Sequence, residues 1–189
     1  MKNIAVFASG EGTNAQAMMD HFKNNPKARV VLIVCNNPKA NVIKRAERAD
    51  IPCLLIDKKT FTGTEQLLDK LYEYKTDLIV LAGFLWLIPA YLTKTFHNRI
   101  VNIHPALLPK YGGKGMYGSN VHKAVIDNKE KESGISIHFV NEHYDEGELI
   151  AQFKCSLNAN DTAETLAAKI HELEQAHYTK AVEDLIEKL

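Results

Sequence analysis

The stretch Val101-Asn102-Ile103-His104-Pro105-Ala106-Leu107-Leu108-Pro109 sets an amide and an imidazole two positions apart at the end of an apolar run. Side chains two apart on a strand share one face. Pro105 biases His104 away from the α region, so the strand cannot run straight into a helix there. A carboxamide and a titratable base therefore stand side by side at the carboxyl end of a strand. Open α/β sheets bind and react with ligands at that end. The plainer reading, polar side chains merely facing a loop, carries equal weight on these residues alone.

Upstream of this stretch, apolar runs alternate with helical patterns. Lys2 to Ala8 reads as a buried strand and Asn14 to Asn24 as a helix. Arg29 to Cys35 is a β-branched strand closed by the turn signal Asn36-Asn37-Pro38. Asn41 to Asp50 reads as a helix, Ile51 to Ile56 as a short strand, and Thr62 to Tyr74 as one helix with a Leu67, Leu68 and Leu71 stripe. Asp77 to Ala82 is a continuous apolar strand of the doubly covered, parallel kind. A short helix near Pro89 to Phe96 leads to the strand Ile100 to His104. Such alternation predicts βαβ units and a parallel sheet.

The pattern changes after residue 105. Lys110 to Gly118 is glycine-rich and irregular, and Ser119 to Asn128 resumes a helix. Ile135, Ile137 and Phe139 alternate with Ser136 and His138 as on a strand, and Glu148 to Leu157 is another, so an antiparallel pair is expected. Asp161-Thr162-Ala163-Glu164 has the spacing of a capping box with Asp161 as the cap. The helix it opens is expected to run almost to Leu189.

A chain of 189 residues is expected to form a single domain, with a core that needs no disulfide. Lys plus Arg and Asp plus Glu are 23 each, so no overall basic field favours nucleic acid. No apolar run is long enough to span a membrane, and the N-terminus enters a strand-like run with no signal-peptide layout. Cys35, Cys53 and Cys155 form no CxxC and suit buried thiols in a reducing cytoplasm. No His/Cys/Asp cluster has metal-ligand spacing.

Ser9-Gly10-Glu11-Gly12-Thr13-Asn14-Ala15 lies between the first strand and the first helix. Glycines let the backbone turn sharply and let an anion come close, while the helix-start amides and macrodipole point at it. A phosphate is the obvious guest; a plain tight turn is the alternative. Gly10, Gly12 and Ala15 also fit a loose dinucleotide fingerprint, but the second strand ends Cys35-Asn36-Asn37, without the acid that would hold a ribose.

Ser-Gly-Glu-Gly-Thr-Asn at 9–14, Leu-Ala-Gly-Phe at 81–84, Asn-Ile-His-Pro-Ala-Leu-Leu-Pro at 102–109, His-Phe-Val at 138–140 and Tyr-Asp-Glu-Gly at 144–147 carry a resemblance. Over nearly its whole length the chain resembles the phosphoribosylglycinamide formyltransferase branch of the folate-dependent formyltransferases. The resemblance implies a Rossmann-like formyltransferase fold: a mostly parallel sheet flanked by helices, an antiparallel C-terminal strand pair and a long C-terminal helix. Residues 1–105 would form a phosphate-binding half and residues 106–189 a folate-binding, catalytic half.

The implied reaction moves the formyl group of 10-formyltetrahydrofolate to the amine of glycinamide ribonucleotide in purine synthesis, with no metal. The resemblance makes Asn102, His104 and Asp145 the catalytic trio, and Gly12, Thr13 and Asn14 the phosphate site. Glu174 would lie near the substrate amine. Phe84, Leu85, Trp86, Leu87, Val140, Asn141 and Tyr144 would form the folate slot, lined by apolar walls and main-chain donors. His122 would be a supporting residue, whereas His138 and His143 match no position with a role. A cytoplasmic monomer or homodimer acting on two small molecules, with no nucleic acid or membrane partner, is expected.

Several positions depart from the family pattern. Trp86 stands where some members have arginine, Glu11 puts an acid in the phosphate loop, and His171 replaces a glutamine near the substrate amine. The segment Tyr111 to Gly118 is longer than in several relatives. Among rivals, a transfer-RNA formyltransferase would carry an additional C-terminal domain and a formyltetrahydrofolate hydrolase an N-terminal regulatory one. A nucleotide-sugar formyltransferase and a non-catalytic nucleotide-binding module remain alternatives, the latter opposed by the intact Asn-His-Asp set.

Overall fold

The strand Lys2–Ala8 (β1) alternates its side chains between two cores. Ile4, Val6 and Ala8 face one, and Ala5 and Phe7 face the other, with every one of them fully buried. A strand covered on both faces reads as a continuous apolar run, as β1 does inside the sheet between β2 and β4. The computed structural model describes residues 1–189. Its seven strands are ordered β3-β2-β1-β4-β5-β6-β7, with β2 at Ala28–Cys35, β3 at Cys53–Leu55, β4 at Leu78–Leu81, β5 at Ile100–His104, β6 at Glu132–Phe139 and β7 at Leu149–Ser156. The first five pair in parallel; β6 joins β5, and β7 joins β6, antiparallel. The expected mostly parallel sheet with an antiparallel C-terminal pair is the one observed.

Helices α1 (Thr13–Phe22), α2 (Asn41–Arg48), α6 (Ser119–Asp127) and α7 (Ala163–Ile186) contribute to the larger core, on the face of Ile4 and Val6. Helices α3 (Lys58–Gly63), α4 (Gln66–Glu73) and α5 (Ala90–Thr95) supply Phe61, Leu71 and Leu92 to the other. Phe61 and Leu71 are at most 1% exposed, so truncating either to alanine would cost about 2–5 kcal/mol. No helix is long and apolar enough to cross a membrane.

Two local expectations are corrected. The single helix expected over Thr62 to Tyr74 is two, because Thr64 is extended (φ −143°, ψ 162°) and breaks the run after Gly63. The first begins earlier, where Asp57 caps it by accepting the Thr60 N–H. The capping box at α7 is shifted by one residue. Thr162 is the cap and Thr165 its reciprocal partner, while Asp161 accepts from the Thr165 hydroxyl and pairs with Lys169 at 2.6 Å.

The strand order reverses direction between β1 and β4, each continuing into a glycine-bearing loop at its carboxyl end. This is the switch point at which open α/β sheets leave a crevice for ligands. Ser9 knits the two loops: its N–H donates to Gly83 O, and its hydroxyl accepts from Leu85 N–H at 3.1 Å. Tyr178 of α7, fully buried, donates its hydroxyl to Leu81 O at 2.8 Å, beside Val101 O at 3.3 Å, tying the end of β4 to the first half of β5.

Candidate active site

On β5, Val101 and Ile103 point into the larger core, and Ile100, Asn102 and His104 take the opposite face. β6 follows the same rule, with Ile135 and Ile137 in the core and Ser136 and His138 on the opposite side. The register sets Asn102 against His138 and His104 against Ser136. Four polar side chains thus share one patch where loops, not helices, form the roof.

Ser136 organises the first of these loops. Its hydroxyl donates to Ala106 O at 2.6 Å and accepts from Leu108 N–H at 2.9 Å, fixing the turn that follows His104. The glycine-rich segment then crosses above the patch. Tyr111 O accepts from His104 Nε2–H at 2.8 Å, and Gly113 N–H donates to Asp145 Oδ2 at 2.9 Å.

Asp145 arrives from the loop between β6 and β7 in a left-handed conformation (φ 57°). Its Oδ2 lies 3.5 Å from His104 Nδ1, and its Oδ1 lies 3.5 Å from Asn102 Nδ2 and 3.7 Å from His138 Nε2. His138 Nδ1–H donates to Phe139 O at 2.7 Å, which leaves its Nε2 to accept from Asn102 Nδ2 at 3.1 Å.

The electrostatics follow from this crowding. Burial pushes the His104 imidazolium below its ordinary 6.5, with Asp145 and the Tyr111 carbonyl partly opposing. Burial pushes the Asp145 carboxyl up, but its polar neighbours, among them the His104 ring and the Gly113 N–H, outweigh it and hold the group below 3.8. His122 of α6 is also lowered, by burial first and by His104 second; its Nδ1 has no hydrogen-bond partner.

A cavity of about 600 Å³ joins this patch to the glycine loop. Gly12 precedes α1 with φ 72°, and a Cβ there would stand 2.7 Å from Val42 Cβ. Gln16 N–H is the first amide to make a helical bond, to Gly12 O, so the amides before it face the cavity mouth. Glu11, at the rim of the same cavity, is held by α2: Asn41 Nδ2 donates to both carboxylate oxygens at 2.9 and 3.0 Å, and Arg45 Nε donates to Glu11 O at 2.7 Å. Glu174 approaches from α7, where Asn14 Nδ2 donates to its Oε2 at 2.9 Å. Burial raises the Glu174 carboxyl, against the bond from Asn14 and the nearby His171.

Of the residues singled out in the sequence, Gly12, Thr13, Asn14, Phe84, Leu85, Trp86, Leu87, Asn102, His104, Val140, Tyr144, Asp145 and Glu174 all line this one cavity. Asn141 does not. Its Oδ1 accepts from His143 N–H at 2.9 Å, shaping the loop, and the residue lines a smaller neighbouring cavity beside Lys94 and Glu148. Trp86 packs its ring 5.5 Å from Phe61 and 6.0 Å from Phe84, as part of an apolar wall. The Leu85 N–H, one of the main-chain donors expected in the folate slot, is already bonded to Ser9.

A family model described as formyl transferase matches residues 2–182. The chain belongs to the formyl transferase family. A phosphoribosylglycinamide formyltransferase of Bacillus subtilis (strain 168) is 36% identical over 98% of this chain and 95% of its own length. Chloroplastic phosphoribosylglycinamide formyltransferases of Vigna unguiculata and Arabidopsis thaliana are 41% and 40% identical over 99% of this chain, which spans 62% and 66% of their lengths. The crystal structure of phosphoribosylglycinamide formyltransferase from Bacillus halodurans superposes with a TM-score of 0.89 at 36% identity, covering 99% of this chain and 96% of that one.

In this formyl transferase, sequence reasoning gave His138 and His143 no role, yet both line the cavity and His138 touches Asn102. The signal for His138 was available only through strand pairing. Once β6 is set antiparallel to β5 in this register, His138 must stand across from Asn102. Gln175 also went unnoticed, on the exposed side of a helix rich in polar residues.

Proposed function

We propose that this formyl transferase moves the formyl group of 10-formyltetrahydrofolate to the amine of glycinamide ribonucleotide, giving N-formylglycinamide ribonucleotide and tetrahydrofolate in de novo purine synthesis. One observation carries the reading. Asn102, His104 and Asp145 converge at one end of a cavity whose other end holds the start of α1 and the half-buried Glu174 carboxyl.

The phosphate would sit on the amides of Gly12, Thr13 and Asn14, and the amine near Glu174. The pterin would lie against Leu85, Trp86, Leu87, Val140 and Tyr144, an apolar slot suited to a flat heterocycle. In this reading residues 1–105 supply the phosphate-binding half and residues 106–189 the folate-binding, catalytic half. The amine nitrogen attacks the formyl carbon, a C–N bond forms, and the carbonyl electrons move to oxygen. The Asn102 N–H held at 3.5 Å from Asp145 is its weakest bond and is free to turn to that oxygen. His104 accepts a proton at Nδ1, where Asp145 Oδ2 stabilises the imidazolium. The anion collapses, the bond to the folate nitrogen breaks, and the proton lost by the amine ends on that leaving nitrogen. We place the enzyme in the cytoplasm as a monomer or homodimer with no nucleic-acid or membrane partner.

The test mixes purified protein with 10-formyltetrahydrofolate, with and without glycinamide ribonucleotide, and follows tetrahydrofolate release. Release that requires the amine is expected. Release without it would identify a hydrolase, and no release beside tight nucleotide binding a non-catalytic module.

A further inference from the structure

Asn14, in the first turn of α1 just after the glycine loop, has both ends of its carboxamide engaged by α7. Gln175 Nε2 donates to Asn14 Oδ1 at 2.8 Å, and Asn14 Nδ2 donates to Glu174 Oε2 at 2.9 Å. The Asn14 and Gln175 positions are 161 residues apart, and α1 packs against α7. A carboxamide has one donor end and one acceptor end. Gln175 presents a donor to the oxygen, so the NH₂ of Asn14 has one choice, to face Glu174. Glu174 is the side chain beside which the amine would sit, and the Asn14 backbone belongs to the helix start that would hold the phosphate.

We infer that Gln175 is a positioning residue that sets the orientation of the Asn14 carboxamide and thereby couples the phosphate loop to the amine-binding carboxylate. This rests on the proposed substrate and adds a residue to its site. Gln175 does not line the cavity. Its effect passes through Asn14, which holds Glu174 in a fixed rotamer with a donor on one oxygen and leaves the other oxygen for the amine. Without the Gln175 donor the Asn14 carboxamide keeps a single anchor, Glu174, and the two side chains can swing together, so the fixed rotamer is lost.

The expected signature is a defect in one substrate only. Gln175→Leu removes the donor at similar size, and Gln175→Glu replaces it with an acceptor. Each is expected to raise KM for glycinamide ribonucleotide about five- to ten-fold, the worth of one such hydrogen bond. KM for 10-formyltetrahydrofolate, kcat and Tm should stay within two-fold or a degree or two. Gln175→His, which can present a ring N–H at similar reach, should restore KM. Unchanged KM in Gln175→Leu and Gln175→Glu, or equal defects for both substrates, would overturn the inference.

A second measurement does not depend on turnover. The side-chain amide protons of Asn14 in the wild type should carry the downfield NMR shift of a carboxylate-bound donor, and Gln175→Leu should move them toward free-amide values. Wild-type protein that transfers no formyl group would defeat the proposed function, while these resonances would still decide whether Gln175 orients Asn14. Asn14 resonances identical in both proteins would reject the role.

Discussion

Asn102 and His138 stand directly opposite one another in the antiparallel pairing of β5 with β6, with Asn102 Nδ2 3.1 Å from His138 Nε2. His138 is 2% exposed and is itself fixed by its bond to Phe139 O, so it is a rigid acceptor that dictates which way the Asn102 carboxamide points. His138→Leu is expected to lower kcat about ten-fold, the equivalent of one lost orienting bond. His138→Gln, which keeps an acceptor, should lose less. Steady-state kinetics on both variants decide this; wild-type kcat in His138→Leu would show that Asn102 orients itself.

Asp145→Asn isolates charge from shape. Asparagine tolerates the left-handed backbone that Asp145 adopts, so the loop should survive. What goes is the negative charge facing His104 and His138. Turnover should fall about 100- to 1000-fold with Tm nearly unchanged. Folding is monitored by circular dichroism beside the assay, and a loss under five-fold would remove Asp145 from the catalytic set.

Gly12→Ala adds a Cβ 2.7 Å from both Val42 Cβ and Val42 Cγ2, at a residue with φ 72°. The backbone penalty is about 1–2 kcal/mol and the overpacking about 1–3 kcal/mol. Each kcal/mol lowers Tm by about 2–4 °C in a chain of this size. Adding Val42→Ala removes Cγ2 but leaves the Val42 Cβ 2.7 Å away, so the double variant should recover only part of the packing share. Calorimetry of the single and double variants measures the loss and that partial recovery.

Acid should weaken the fold through its buried histidines. His104 and His122 are both held below 6.5, and in the unfolded chain they return to it. Between the unfolded and folded values the unfolded state binds more protons, so their contribution is intact above about 6.5 and lost as pH falls. Asp145 acts in the same direction lower down: held below 3.8, its contribution is present above that value and lost as pH drops further. Urea midpoints should therefore be lower at about pH 5.5 than at pH 7.5, and His122→Gln should shrink the drop. An undiminished drop in that variant would assign the effect elsewhere.

Glu174 has the opposite sign. Its carboxyl is raised above 4.5, chiefly by burial, so ionising it costs stability as pH rises through the folded value. Glu174→Gln should raise the urea midpoint at about pH 8. The same change should raise KM for glycinamide ribonucleotide by about ten-fold or more, as expected for losing a charged partner. A variant less stable at that pH would contradict the desolvation account.

The parts legible in the sequence were those that local covalent spacing controls. Ile100 to His104 reads as a strand, and Asn102 and His104 share its face because a strand's side chains repeat every second residue. β1 reads as a buried strand because its apolar run has no polar side. Boundaries failed where a single side-chain bond decided them, as with Asp57 starting α3 early or Thr162 rather than Asp161 capping α7. Where Asn141 would point was not legible, because loop residues carry no periodicity to say which way they face; it lines the neighbouring cavity.

The sequence by itself determined the parallel sheet, the order of its strands along the chain, and the amide–imidazole pair at the end of β5. Only the tertiary structure decided that Asp145 reaches that pair from 43 residues away, and that His138 lies 36 residues from Asn102 yet beside it. It likewise brought Glu174 and Gln175 to the two ends of the Asn14 amide. The reason is physical: periodicity fixes which side of its own element a residue occupies, whereas strand register, helix packing and loop closure fix which neighbour it meets there.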